Sequence, residues 1–254
     1  MTETVTNVSA YGNWVSPRLI LVPVFLAVIS AVLIVISPYF LIPTGVFLLI
    51  AGYFLYARHL FSPTGGNIQE QVCSVVMEKL DWDGQGRALD IGCGSGALTI
   101  QIAKKYPNAK VAGIDYWGGM WGYSEEACQW NASQEEVSDR VTFQKANASS
   151  LPFADEEFDA VVSNLVFHEV KDTSNKVSLI KEALRVLKKG GTFTFQDLFH
   201  IRHFYGTPED LLKTIKSWGV SEIEFFDTRA LPFIPTALKL PFMLGTVGLL
   251  TGVK

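Results

Sequence analysis

The chain has 254 residues and a net charge of -4 at pH 7. A chain of this length can bury one well-packed domain, and it lacks the basic excess that binding to nucleic-acid phosphates requires. Its three cysteines, Cys73, Cys93 and Cys128, show no Cys-x-x-Cys spacing, which argues against a disulfide framework and against a zinc site. We therefore expect no nucleic-acid partner and no bound metal.

A long apolar segment precedes the rest of the chain. From Leu19 to Ala57 there are 39 residues without an acidic, basic or histidine side chain. A single helix of that length would measure about 58 Å, roughly twice the hydrocarbon thickness of a bilayer. Because Pro38 cannot continue a helix, the segment predicts a hairpin of two transmembrane helices at 19–37 and 40–57.

The flanking charges predict how this hairpin lies in a membrane. Arg18 and Arg58 lie on the same side of it, and the turn between the helices carries no positive charge. By the positive-inside rule both ends of an integral membrane protein, and with them the domain that follows the hairpin, would be cytoplasmic. The alternative is a buried helical pair in a soluble protein. We expect an N-terminal segment at 1–58 and a turn-rich linker at 59–67.

The remaining residues, 68–254, alternate between strand-like and helix-like patterns. The predicted strands are 87–91, 110–114, 141–144, 158–163, 192–196, 220–226 and 247–253. The predicted helices include 68–80, 97–105, 123–137 and 173–188. This order is typical of a doubly wound, Rossmann-like α/β domain with a seven-stranded sheet. We expect the sheet to be mostly parallel, with the last strand antiparallel.

Three glycines, Gly92, Gly94 and Gly96, follow the first predicted strand and precede a helix. Glycine lets the backbone turn sharply and approach a ligand, and the helix start favours an anionic group. Asp115 follows the next strand, where a carboxylate can accept hydrogen bonds from both hydroxyls of a ribose. The pattern predicts a ribose-bearing cofactor, and the glycines alone leave open whether it is a dinucleotide.

The glycine loop and Asp115 belong to a set of five segments: 89–96 (LDIGCGSG), 113–115 (GID), 147–153 (NASSLPF), 158–164 (FDAVVSN) and 182–191 (EALRVLKKGG). Together these segments resemble class I S-adenosylmethionine-dependent methyltransferases, in particular those of the type 11 domain. The resemblance implies S-adenosylmethionine as the cofactor. It implies that the cofactor-binding residues are Asp90, Gly92, Gly94, Gly96, Asp115, Tyr116, Asn147, Ala148 and Asn164.

Asn147 departs from this family pattern, because relatives usually carry aspartate at the equivalent position. An amide can still accept a hydrogen bond from the adenine amino group and donate one to a ring nitrogen. The alternative is an asparagine that only closes a turn.

His168 and Glu169 follow the fourth strand, at the sheet edge where open α/β folds build their sites. We predict that both are catalytic: a histidine of near-neutral pKa can take a proton from a nucleophile, and a carboxylate can orient it. The alternative is a pair of polar residues facing water. Asp197 and His200, after the fifth strand, have the same ambiguity, and for them we favour the surface interpretation.

Two other segments are rich in large apolar side chains. Residues 116–123 combine four aromatics with three glycines and would cover the adenosine, contact an apolar substrate or form a tightly packed loop. The segment 228–245 is interrupted by three prolines, so it cannot be a regular spanning helix. It would lie at the membrane interface, line a lipophilic groove or pack in the core.

Together these patterns predict a membrane-anchored methyltransferase that transfers a methyl group to a lipophilic acceptor. An isoprenoid quinone precursor, a phospholipid headgroup or another lipid would suit that acceptor site, and the bilayer itself would be a partner. Two alternatives remain open: an NAD-dependent oxidoreductase, and a non-catalytic membrane module that keeps the cofactor fold. The oligomeric state is not predicted.

Overall fold

The computed structural model describes residues 11–118 and 122–254. Tyr11 and Gly12 group with Cys73–Lys254 in one compact unit, and Asn13–Val72 form a second. This division differs from the predicted organisation, in which everything before the linker belongs to the N-terminal segment. The difference arises because Tyr11 and Gly12 pack on the sheet domain.

The unit Asn13–Val72 is built around two helices, α1 (Arg18–Leu33) and α2 (Leu41–Phe61), which pack against each other. A short 3-10 turn at Pro38–Phe40 immediately precedes α2. The turn forms at Pro38, which has no backbone N–H to donate. The hydroxyl of Ser30 in α1 donates a hydrogen bond to the carbonyl oxygen of Phe40 at 3.0 Å.

Within the described residues, one apolar segment is long enough to cross a membrane. It is Pro38–Phe61, with 24 residues and a mean hydropathy of 1.9. Helix α1 has 16 residues, which corresponds to about 24 Å against a hydrocarbon core of about 30 Å. The predicted first span, 19–37, is therefore too long, because the helix ends at Leu33. The two-span hairpin is not confirmed.

The sheet domain follows helix α3 (Ile68–Lys79). Its strands are β1 (Arg87–Ile91), β2 (Lys110–Asp115), β3 (Val141–Lys145), β4 (Phe158–Asn164), β5 (Leu187–Asp197), β6 (Glu222–Phe226) and β7 (Gly248–Val253). Its further helices are α4 (Ala97–Lys105), α5 (Glu125–Gln134), α6 (Lys176–Val186), α7 (Arg202–Tyr205) and α8 (Pro208–Lys216).

The strands form one seven-stranded sheet in the order β3-β2-β1-β4-β5-β7-β6. Strands β1 to β5 pair in parallel, whereas β7 runs antiparallel to both β5 and β6. The predicted fold class is confirmed for this domain. Strand β5 begins earlier than predicted, because Leu187 pairs with Phe158 across an irregularity in the ladder.

Apolar side chains cover both faces of the sheet, as a doubly wound fold requires. One cluster contains Phe158, Phe193 and Phe195 together with residues of α6 and α8. The other contains Ala88 and Val162 with residues of α3 and α4. Side chains of the parallel strands are therefore buried on both sides, which explains why these strands read as continuous apolar runs.

The proline-rich connection between β6 and β7 contains two short 3-10 turns, Thr228–Ala230 and Thr236–Leu238. Leu238 is buried, whereas Leu240 is exposed. The connection thus packs partly into the core and partly faces outward.

Candidate active site

The strand order reverses between β1 and β4, so their carboxyl ends border a crevice of the kind that binds ligands in open α/β sheets. The glycine loop lies there. Gly92 has a φ of +76°, and a Cβ at this position would lie 2.1 Å from a methyl group of Val166. Both the backbone conformation and the close contact require glycine. The loop ends at Gly96, which precedes the first turn of α4.

Asp115, the last residue of β2, holds the glycine loop in place. Its Oδ2 accepts a hydrogen bond from the backbone N–H of Gly94 at 2.9 Å, and its Oδ1 accepts one from the N–H of Trp117 at 2.7 Å. The indole N–H of Trp117 donates back to the carbonyl oxygen of Gly94 at 2.8 Å. Each carboxylate oxygen has another lone pair, so the group can still accept hydrogen bonds from a ribose.

Asp90 lies inside the domain beneath the loop. Its Oδ2 accepts a hydrogen bond from the hydroxyl of Thr99 at 2.7 Å, which ties β1 to α4. Burial raises the pKa of Asp90 to about 7. A cationic group nearby would favour its ionised form. The role of Asp90 toward the amino group of methionine stays a prediction.

The Asn147 side chain closes a turn. Its Oδ1 accepts from the N–H of Ser149 at 3.0 Å, and its Nδ2 donates to Asp172 at 2.6 Å. The same Asp172 oxygen accepts from the hydroxyl of Ser149 at 2.6 Å. Neighbouring Ala148 packs against the apolar cluster of one sheet face. Adenine binding by Asn147 and Ala148 stays a prediction, since the amide is engaged by Ser149 in its own turn and by Asp172 in the segment after β4.

Asn164 ends β4 on the crevice side. Its Nδ2 donates to the sulfur of Cys73 at 3.3 Å. Its Oδ1 is buried and accepts no hydrogen bond from the described residues. The next residue, Leu165, has a φ of +59°, a conformation that is costly for a branched side chain and that clusters at functional sites. Its N–H donates to the carbonyl oxygen of Gln196 at 2.7 Å.

The structure brings His168 and Asp197 together at the ends of β4 and β5. Nδ1 of His168 lies 2.8 Å from Oδ1 of Asp197, which is fully buried. Burial of the imidazole opposes its charge, but the carboxylates of Asp197 and Glu169 outweigh burial and raise the pKa of His168 to about 10. This raised pKa departs from the near-neutral value expected of a general base, and it favours the protonated form of His168 at pH 7. Asp197, expected at the surface, is instead its partner.

Glu169 is more accessible, with its side chain 53% exposed. Its Oε1 lies 3.5 Å from Nε2 of His168, and this contact lowers the pKa of Glu169. His200 lies apart from this cluster, with Nε2 3.4 Å from Asp227. A protonated imidazole and an accessible carboxylate thus follow β4 side by side, although a contact with the acceptor stays a prediction.

The aromatic loop after Asp115 lies partly outside the described residues, which omit 119–121. Tyr116 is 62% exposed, and the Nζ of Lys145 lies 5.0 Å from its ring centroid. Tyr123, at the other end of the loop, is partly buried, and its ring lies beside Gly94. In the part of the chain that the structure describes, no group of three His, Cys, Asp or Glu residues is arranged to hold a metal ion.

Comparison with known proteins identifies this arrangement. Residues 89–195 match the family described as a methyltransferase domain. The chain is 30% identical over 205 residues to the ubiquinone/menaquinone biosynthesis C-methyltransferase UbiE of Desulfotalea psychrophila, covering 70% of this chain and 78% of that protein. The chain belongs to the S-adenosylmethionine-dependent methyltransferase family. The glycine pattern also allows an NAD-dependent oxidoreductase, and family membership decides for the methyltransferase.

Other similarities agree on the fold. The UbiE protein of Geotalea daltonii is 30% identical over 139 residues, which cover 51% of this chain and 56%, little more than half, of that relative. A crystal structure of geranyl diphosphate C-methyltransferase from Streptomyces coelicolor, with Mg²⁺, geranyl diphosphate and S-adenosyl-L-homocysteine, has a TM-score of 0.55. It is 14% identical and covers 74% of this chain and 80% of that one, so it supports the fold alone.

The residues of this methyltransferase fit the family's cofactor. S-adenosylmethionine carries a ribose, an amino acid portion and an electrophilic methyl group. Asp115 has free lone pairs for the ribose hydroxyls, and the three glycines of the loop carry no side chains of their own that would keep a ligand from their backbone. The orphaned oxygen of Asn164 borders the same crevice. We expect these residues, with Asp90 beneath them, to hold the cofactor.

Proposed function

We propose that this methyltransferase is membrane-anchored and transfers the methyl group of S-adenosylmethionine to a lipophilic acceptor of the isoprenoid quinone-precursor class. The named activity of the UbiE relatives, quinone biosynthesis C-methylation, supports the acceptor class. The apolar segment that precedes the sheet domain supports the location. A phospholipid headgroup or another lipid is the second candidate, supported by location alone.

The observation that carries this proposal is the distribution of exposed apolar side chains. Among the described residues, 24 large apolar side chains are exposed, and 20 of these lie between Leu19 and Tyr56. The other four are Tyr116, Trp130, Leu240 and Phe242. Soluble proteins rarely expose a contiguous apolar patch of this size. We infer that a bilayer surrounds this segment and that the enzyme meets an acceptor dissolved in it.

For the anchor we propose a hairpin with both ends in the cytoplasm. Helix α2 has the length of a span, and the shorter α1 would cross where the bilayer thins or its flanking residues reach the interface. Arg18 and Arg58 support the orientation. An alkaline phosphatase reporter inserted after Tyr39, expressed in a bacterial host, should be active outside the cytoplasm, whereas one fused after Lys254 should be inactive. An inactive reporter at Tyr39 would reject the hairpin.

For the chemistry we propose that His168 and Glu169 orient the acceptor. The Nε2–H of protonated His168 makes only a long contact with Glu169, so it can donate to an oxygen of a phenolic acceptor. The ionised Glu169 can accept a hydrogen bond from a hydroxyl. Methyl transfer needs alignment above all, because orientation and exclusion of water lower a barrier by about 7–11 kcal/mol at best.

The test is methyl transfer from labelled S-adenosylmethionine into a total lipid extract. We expect label in the organic phase with the full chain, and loss of that label in Asp115→Ala. Asp139→Ala is the matched control, because Asp139 is an exposed acid, 78% accessible, that contacts Arg140. No transfer to lipid, protein or small-molecule pools would support the non-catalytic module, and transfer only to a water-soluble acceptor would reject the lipophilic class.

A further inference from the structure

Two residues that precede the apolar helices lie on the cofactor loop. Tyr11 and Gly12, here called the N-terminal strap, belong to the same compact unit as the sheet. The hydroxyl of Ser95, inside the glycine loop, donates to the carbonyl oxygen of Tyr11 at 2.9 Å. The hydroxyl of Tyr11 donates to Glu135 at 3.2 Å, just beyond the end of α5. The strap is therefore hydrogen-bonded to the glycine loop itself and to the residue that follows α5.

The strap also lies beside Tyr123. A Cβ on Gly12 would lie 3.1 Å from Cε1 of Tyr123, and a Cβ on Gly94 would lie 3.4 Å from Cδ2 of the same ring. The ring of Tyr123 thus lies between the strap and the glycine loop. Gly12 has a φ of +72°, so a side chain there would be strained as well as close to the ring.

Tyr123 lies close to the residue that should bind the ribose. Gly94, which lies beside the ring, donates its N–H to Asp115. Burial raises the pKa of Tyr123 to about 12, and the charge of Asp115 adds to this effect. An aromatic ring held at this position can cover a ligand bound in the crevice and exclude water from it.

We propose that the N-terminal strap holds Tyr123 as a wall of the cofactor site, so that residues preceding the apolar helices help to bind S-adenosylmethionine. Tyr11 and Gly12 are positioning residues in this account, since they act through Ser95 and Tyr123. The cofactor-binding unit is then discontinuous in sequence. A truncated chain that begins after the apolar helices lacks part of its cofactor site.

The test is binding of S-adenosylhomocysteine by the full chain in detergent micelles, measured by calorimetry. Gly12→Ala should raise the Kd by about tenfold, because the added Cβ displaces the strap or the ring. Gly219→Ala is the matched control: Gly219 also has a positive φ, +91°, but nothing lies within 4 Å of its added Cβ. We expect a change of less than about twofold there.

Deletion of residues 1–12 from the otherwise full chain removes the strap without straining the backbone. We expect the same rise in Kd, with a KM for S-adenosylmethionine that rises by the same factor and a kcat that changes little. Kd values equal to that of the parent in both Gly12→Ala and the deletion would overturn the proposal. An equal rise in Kd in Gly219→Ala would also overturn the proposal, because the effect would then follow from backbone strain alone.

Discussion

Replacing Asp197 by Asn removes the negative charge that faces His168 inside the protein. The carboxylate lies 2.8 Å from Nδ1 and is fully buried, so no water replaces it. The amide keeps the size of the side chain and can still accept one hydrogen bond. The substitution therefore tests the charge pair rather than the packing.

The magnitude follows from the proton affinity of His168. Its pKa rises from 6.5 to about 10, and each tenfold change in affinity corresponds to about 1.4 kcal/mol, so the full difference is about 5 kcal/mol. The imidazole is 18% exposed, and solvent screening brings the expected loss of unfolding free energy to ~3 kcal/mol. Because the folded-state pKa is raised, this stability is complete below pH 6.5 and disappears as the pH rises through about 10.

Urea unfolding of the full chain in detergent micelles, at pH 6 and at pH 10.5, checks this prediction. The free energy of unfolding of the parent should exceed that of Asp197→Asn by ~3 kcal/mol at pH 6 and by much less at pH 10.5. Asp139→Asn is the control, an exposed acid for which we expect a change below ~0.5 kcal/mol. The charged pair would be refuted if the difference in unfolding free energy between parent and variant did not depend on pH. It would also be refuted if His168 of the parent titrated by NMR with a midpoint near pH 6.5.

Three further predictions concern the crevice. Asp115→Ala should raise the Kd for S-adenosylhomocysteine by about tenfold or more, since it removes the ribose acceptor; an unchanged Kd in calorimetry would exclude that role. Gly92→Ala should lower the unfolding free energy by ~2 kcal/mol or more, and Val166→Ala should restore part of that loss in a double-mutant cycle, whereas additive losses would contradict the close contact. If His168 acts as a cation, kcat should stay level between about pH 7 and 9 and fall above about 10, whereas a rise through about pH 6.5 would indicate a neutral base.

The succession of strands along the chain and the position of the glycine loop could be predicted from sequence because both depend on local patterns. Apolar runs such as 158–163 lie between turn residues, and the glycine triplet directly follows the strand pattern at 87–91. The end of α1 could not be predicted as well. Hydropathy is the same on both sides of Leu33, so composition does not reveal where the helix stops.

The partners of the site residues were less accessible to sequence reasoning. His168 and Asp197 are 29 residues apart and meet only because β4 and β5 are neighbours in the sheet. Applying that adjacency to polar residues that follow parallel strands would have found the pair. The contacts of Tyr11 with Ser95 and Glu135 span 84 and 124 residues, and no local pattern indicates them.

The most direct test of this account is a crystal structure of the full chain with S-adenosylhomocysteine. The account predicts that the ribose hydroxyls lie within hydrogen-bond distance of Asp115 and that the amino acid portion lies along Gly92 and Gly94, with the sulfur facing the side of the crevice that holds His168. A ligand bound elsewhere, or a crevice filled by protein side chains, would contradict it.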